Sequence, residues 1–146
     1  MSRKALPLAT PEDAEAAFYE AIKDGDIEAM MGIWAEDEEI VCTHPGGARL
    51  VGQNLVRASW QAIFQSGTRM TVHVSHQVSW HSALMSVRNV IETIHPADGS
   101  APHGPLVATN VYVLGKQGWR LLAHHASPAA ALPRPHDSND DNRVLH

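Results

Sequence analysis

Apolar side chains recur at Ala14, Ala17, Phe18, Ala21 and Ile22, the three-and-four spacing that lines one face of a helix. Thr10 stands where a capping side chain belongs, Pro11 suits a first helical turn, and Glu12, Asp13 and Glu15 lie toward the positive end of the helix dipole. Gly25 closes this helix, and Asp26 opens a second whose stripe is Ile27, Met30, Met31 and Trp34. Residues 38–43 read as a short strand, followed by a His44-Pro45-Gly46-Gly47 turn and a return through Arg49 to Val51. Asn54 can cap a third helix, with Val56, Trp60, Ile63 and Phe64 on one face and Gly67 beyond its end. From Arg69 the period drops to two: Met70, Val72, Val74, Val78 and Trp80 alternate with Thr71, His73, Ser75, Gln77 and Ser79. A further strand covers about 83–94, and the Pro- and Gly-rich stretch 96–105 is a loop. Residues 106–114 and 119–127 form a hairpin around Gly115-Lys116-Gln117-Gly118. Helices followed by antiparallel strands predict an α+β fold, with helices on one face of a strongly bent sheet and a conical pocket between them.

The 146 residues suit one domain, placed at 11–128 between an N-terminal arm (1–10) and a flexible tail (129–146). A single cysteine, Cys42, excludes an internal disulfide and a cysteine-based zinc cluster. The net charge of −5 argues against nucleic acid as a partner. No apolar run is long enough to cross a bilayer and the first ten residues lack the apolar core of a signal peptide, so the expectation is a cytoplasmic protein with no membrane partner. The charge is unevenly spread. Residues 1–40 hold 11 acids and 3 bases, whereas residues 41–133 hold only Glu92 and Asp98 against 6 bases, and all ten histidines lie at or beyond His44. A site in the second half must work with histidine, arginine and neutral groups.

Gly25-Asp26-Ile27-Glu28-Ala29, Trp34-Ala35-Glu36-Asp37, His44-Pro45-Gly46-Gly47, Gly52 and Trp60, in this order and spacing, resemble the SnoaL-like branch of the nuclear transport factor 2-like (NTF2-like) superfamily. The strand Gly118-Trp119-Arg120…His125-Ala126-Ser127 adds to the likeness and is similar to one in the association domain of calmodulin-dependent kinase II. The resemblance covers about residues 11–128 and implies a cone-shaped barrel, usually a homodimer through the open face of the sheet. It implies little about activity, because this fold hosts many chemistries. The superfamily's ketosteroid isomerases carry a Tyr oxyanion donor seven residues before the Gly of the Gly-Asp turn and an Asp base directly before a Pro on the first strand. Phe18 and His44 stand at those places, with Tyr19 adjacent to the first, so steroid isomerisation is not expected.

The sharpest candidates for chemistry are His44 and His125, because imidazole exchanges protons near neutral pH. If Val113 faces Arg120 in the hairpin, unbroken alternation puts Asn110, Tyr112, Leu121, Ala123 and His125 on one face, and Thr109, Val111, Arg120, Leu122 and His124 on the other. On that register His125 lines the pocket; its bland alternative is a buried histidine with no chemistry. Phe18, Tyr19, Trp34 and Trp60 would wall the cavity or simply pack its core, and Asn110 or Tyr112 would orient a carbonyl. Arg88 would bind a ligand carboxylate or pair with Glu92 on a dimer face. Glu12, Asp13, Glu15, Glu20 and Glu28 read as a solvated helix surface. A Cys42–His44 nucleophile pair is a weaker alternative. No metal or cofactor is expected: His124 and His125 point to opposite faces of a strand, His73 and His81 are too far apart, and only a site joining His44, His125 and a distant histidine stays open. Two readings remain. One is a binder of a small apolar or carbonyl-containing molecule, with acid–base chemistry by His44 and His125; the other is an oligomerisation module without catalysis.

Overall fold

The computed structural model describes residues 8–130; the expected arm and tail lie almost wholly outside the described residues. Three helices, α1 (Pro11–Asp24), α2 (Ile27–Ile33) and α3 (Gln53–Gln65), pack on a six-stranded sheet. Its strands are β1 (Val41–Thr43), β2 (Arg49–Val51), β3 (Met70–His81), β4 (Met85–Pro96), β5 (His103–Gly115) and β6 (Gly118–Pro128), in the spatial order β2-β1-β6-β5-β4-β3. All neighbours are antiparallel except β1 and β6, so the sheet curves around the helices as an unclosed α+β cone. The caps of α1 and α2 form as expected: Thr10 accepts from the Asp13 N–H and Asp26 from the Ala29 N–H. Gly25 ends α1 in the left-handed region (φ 61°), and the Arg69 guanidinium lies 2.7 Å from where a side chain's Cβ would stand, so only glycine fits. α3 starts at Gln53 after Gly52, with no side-chain cap, rather than at Asn54.

The core lies between α1 and the concave face of the sheet. Phe18, Trp34 and Tyr112 are wholly buried there, with Met30, Ile40, Val56, Trp60 and Leu121 around them. The pocket expected between helices and sheet is therefore largely occupied by aromatic side chains. Two β-bulges decide which residues reach it. On β3, His76 and Gln77 oppose one residue of β4, and His76 takes a positive φ of 53°. Val72 and Val74 point into the cone before that bulge, whereas Val78 and Trp80 pair with Asn89 and Val87 on the convex face after it. On β6, Leu122 is the extra residue: Tyr112 pairs with Leu121, but Val111 pairs with Ala123. Val113 does face Arg120, and the slip beyond that point reverses every later side chain.

Candidate functional site

The β6 bulge corrects the expected register at its most consequential position. Asn110 pairs with His124 and Thr109 with His125, so His124 enters the cone and His125 is exposed on the convex face. His124 is 4% exposed and packs against Phe18 (ring centroids 5.0 Å apart) and Trp60 (6.2 Å). Leu121-Leu122, two apolar neighbours that break strict alternation, is the one local signal of the slip. His44 and His125 therefore do not meet.

His44 does meet the site. β1 runs parallel to β6 with Cys42 beside His124, and His44 lies two residues later on the same face. Its ring stands edge-on to Trp60 at 4.7 Å, and its Nε2 lies 3.0 Å from Ser59 Oγ and 3.7 Å from Cys42 Sγ. Ser59 donates its only hydroxyl proton to the Val56 carbonyl at 2.7 Å. Its oxygen can thus only accept from the ring, which makes His44 the Nε2–H tautomer with a lone pair on Nδ1. Ser59 is therefore not poised as a nucleophile. Burial pushes the Cys42 thiol up to about 12, which disfavours the thiolate that a Cys42–His44 nucleophile pair would need. Burial also holds His44 below the usual histidine value. His124 is pushed down to about 3 by burial first and then by the neighbouring His44 and His125. Both inward imidazoles are neutral at pH 7.

A polar chain runs from His124 through the interior. His124 Nδ1 lies 2.5 Å from Asn110 Oδ1, Asn110 Nδ2 donates to the Tyr19 hydroxyl at 3.0 Å, and Tyr19 donates to Glu92 Oε2 at 2.6 Å. Burial, and then the adjacent Glu92 carboxylate, push the Tyr19 phenol far above its ordinary value, so it stays a donor. Burial likewise raises Glu92. Arg88 faces inward too. It donates to Glu15 at 3.0 Å and reaches Glu12 at 3.3 Å, which replaces the expected Arg88–Glu92 pair and the expected ligand carboxylate. Glu15, expected on the solvated helix surface, is buried beneath it. Tyr112 points its hydroxyl toward Glu15 without completing a hydrogen bond, and burial raises its phenol. Trp34 Nε1 and Trp60 Nε1 are also buried without a hydrogen-bond partner among the described residues. Two surface clefts lie elsewhere: about 260 Å³ between residues 35–38 and the β5–β6 turn, and about 490 Å³ between residues 66–69 and 96–98. Neither is lined by His44, Trp60 or His124.

Phe18, Tyr19, Trp34, Trp60, Arg88, Asn110 and Tyr112 thus all reach the cone interior, as does His44, while His125 does not. Sequence reasoning did not bring His124, Ser59 and Glu15 to this interior, nor join Glu92 to Tyr19. Among the described residues, no group of three or more His, Cys, Asp or Glu is placed to hold a metal ion.

A curved, unclosed sheet wrapped around three helices with a polar interior defines the NTF2-like class of α+β cones. Within that class the chain belongs to the SnoaL-like family, whose model matches residues 12–131. Among solved structures it is similar to a Thiobacillus denitrificans protein provisionally assigned as a calcium/calmodulin-dependent protein kinase type II association domain. That likeness is 36% identity and a TM-score of 0.73, covering 88% of this chain and 100% of the other. It is also similar to a provisionally assigned dehydratase of the NTF2-like family from Streptomyces avermitilis, at 29% identity and TM-score 0.74, covering 81% of this chain and 92% of the other. The F-box protein SKIP8 of Arabidopsis thaliana is 28% identical over 113 residues; the match takes in 75% of this chain but 46% of SKIP8, so this chain spans about half of that relative's length.

Proposed function

We propose that the chain binds a small apolar or carbonyl-containing organic molecule at the Trp60 end of the cone, where His44 and His124 serve as neutral acid–base groups. The observation that carries this reading is the placement of two imidazoles, one just beyond β1 and one on β6, against one indole from α3. Burying Glu15, Arg88, Glu92, Asn110 and His124 costs free energy that an apolar core would not incur. Such groups gather where a fold has chemistry to perform. In this reading His44 takes a proton on Nδ1 and returns it, while the surrounding aromatic rings keep the exchange out of bulk water. His124 takes the place expected of His125, and Asn110 supports it rather than the ligand.

The test is a panel of small hydroxy-ketones and other hydroxyl-bearing carbonyl compounds screened against 15N-labelled protein. A compound that shifts the His44 and His124 ring signals, and loses affinity at least tenfold in both His44→Gln and His124→Gln, supports the reading. Hits indifferent to both substitutions contradict it.

A second reading, assembly without catalysis, draws on two observations. The core is filled by aromatic side chains, and the convex face carries Val78, Trp80, Val87 and Val111, with Trp80 59% exposed. A homodimer through that face is compatible with either reading. No helix of the described residues is long and apolar enough to cross a membrane, and a reducing cytoplasm would keep the Cys42 thiol as found.

A further inference from the structure

We propose that Glu92 is a remote positioning residue: through Tyr19 and Asn110 it holds His124 as the Nδ1–H tautomer, so that the site meets its ligand with unprotonated imidazole nitrogens and selects a neutral molecule carrying an O–H or N–H donor. This rests on the ligand site proposed above and deepens it to a substrate class. The direction of the chain is set at the carboxylate. Tyr19 donates the 2.6 Å hydrogen bond and a Glu92 oxygen accepts it. The Tyr19 hydroxyl has then spent its proton and can only accept from Asn110, at 3.0 Å, which turns the amide nitrogen toward Tyr19 and the amide oxygen toward His124. An amide oxygen only accepts, so His124 must carry its proton on Nδ1. One acceptor at the far end thus fixes a tautomer three residues away, and every link is buried.

The reversed chain is chemically possible. Without an acceptor at position 92, Tyr19 can donate to an Asn110 turned end for end, whose nitrogen then faces His124 and moves the ring proton to Nε2. Glu92 selects between the two arrangements.

At the other side of Trp60, Ser59 fixes His44 with its lone pair on Nδ1. Among the described residues neither His124 Nε2 nor His44 Nδ1 has a hydrogen-bond partner. The Arg88 guanidinium inside the cone is engaged by Glu15 and Glu12 and does not supply an anion site. Two acceptors, with the Arg88 charge already engaged, disfavour a carboxylate or phosphate and favour a hydroxyl or an amine N–H.

Ring 15N spectra of the ligand-free protein test the tautomer without needing any ligand, with His124 assigned from His124→Gln. The wild type is expected to show His124 protonated on Nδ1. Glu92→Gln, whose amide oxygen still accepts from Tyr19, should retain that state, whereas Glu92→Leu should shift the proton to Nε2. An Nε2–H ring in the wild type, or an unchanged ring in a folded Glu92→Leu protein, overturns the role of Glu92. The ligand class is read with phenol, anisole and benzoate as probes. Phenol should shift the His44 and His124 ring nitrogens, and anisole and benzoate should not. Anisole or benzoate acting as strongly as phenol overturns the donor requirement. All three probes silent beside the predicted tautomer overturns the ligand site itself and leaves the Glu92 relay standing.

Discussion

His124 and His125 are chemically identical neighbours with opposite surroundings, and the difference has a thermodynamic signature. A histidine held at about 3 when folded and at 6.5 when unfolded binds its proton only in the unfolded chain across that interval. Stability is therefore complete above about pH 6.5 and falls as the pH drops toward 3, by about 1.4 kcal/mol per pH unit for this one group. His44 adds to the upper part of the fall, since its value is also lowered. Glu92, whose value is raised, acts in the opposite direction from pH 4.5 up to its folded value. Urea unfolding at a series of pH values should show a clearly shallower acid slope in His124→Gln than in wild type, and an unaltered slope in His125→Gln. Asn110→Leu should cost about 1–3 kcal/mol, because it leaves the buried His124 ring without its hydrogen-bond partner.

At the scale of elements, the helices were legible from side-chain spacing, because a helical stripe tolerates small errors in phase. Thr10, Asp26 and Gly25 mark boundaries that the structure keeps. The strands were legible as strands, but their faces were not. A period of two carries no memory across an inserted residue, so Leu122 and the His76-Gln77 pair each invert the side chains beyond them on the strand. That is why His44, before either bulge, could be placed on a common face with Cys42, while His125 could not be told from His124. Glu15 was hidden for another reason: its partner, Arg88, lies 73 residues away and only the docking of α1 on β4 joins them. That junction gives a prediction. Arg88→Met leaves the buried Glu15 carboxylate uncompensated and should cost about 3–5 kcal/mol by urea unfolding. Adding Glu15→Leu should recover most of the loss, whereas two independent costs would simply add.

Across the whole molecule, the cone encloses a buried polar chain within its aromatic core and leaves apolar side chains on the convex face of the sheet. A convex face bearing Trp80, Val78, Val87 and Val111 predicts a dimer in solution. Trp80→Glu should shift the mass measured by light scattering from dimer toward monomer without changing the far-ultraviolet spectrum; a wild-type monomer at high concentration would contradict this. The interior is tested most directly by following the histidine ring signals of the intact protein from pH 8 to pH 4. His124 should remain neutral and unshifted throughout, and His44 should take up its proton below 6.5. A His124 ring that titrates near 6.5 would mean that it does not occupy the cone, and that His44 has no buried imidazole partner across Trp60.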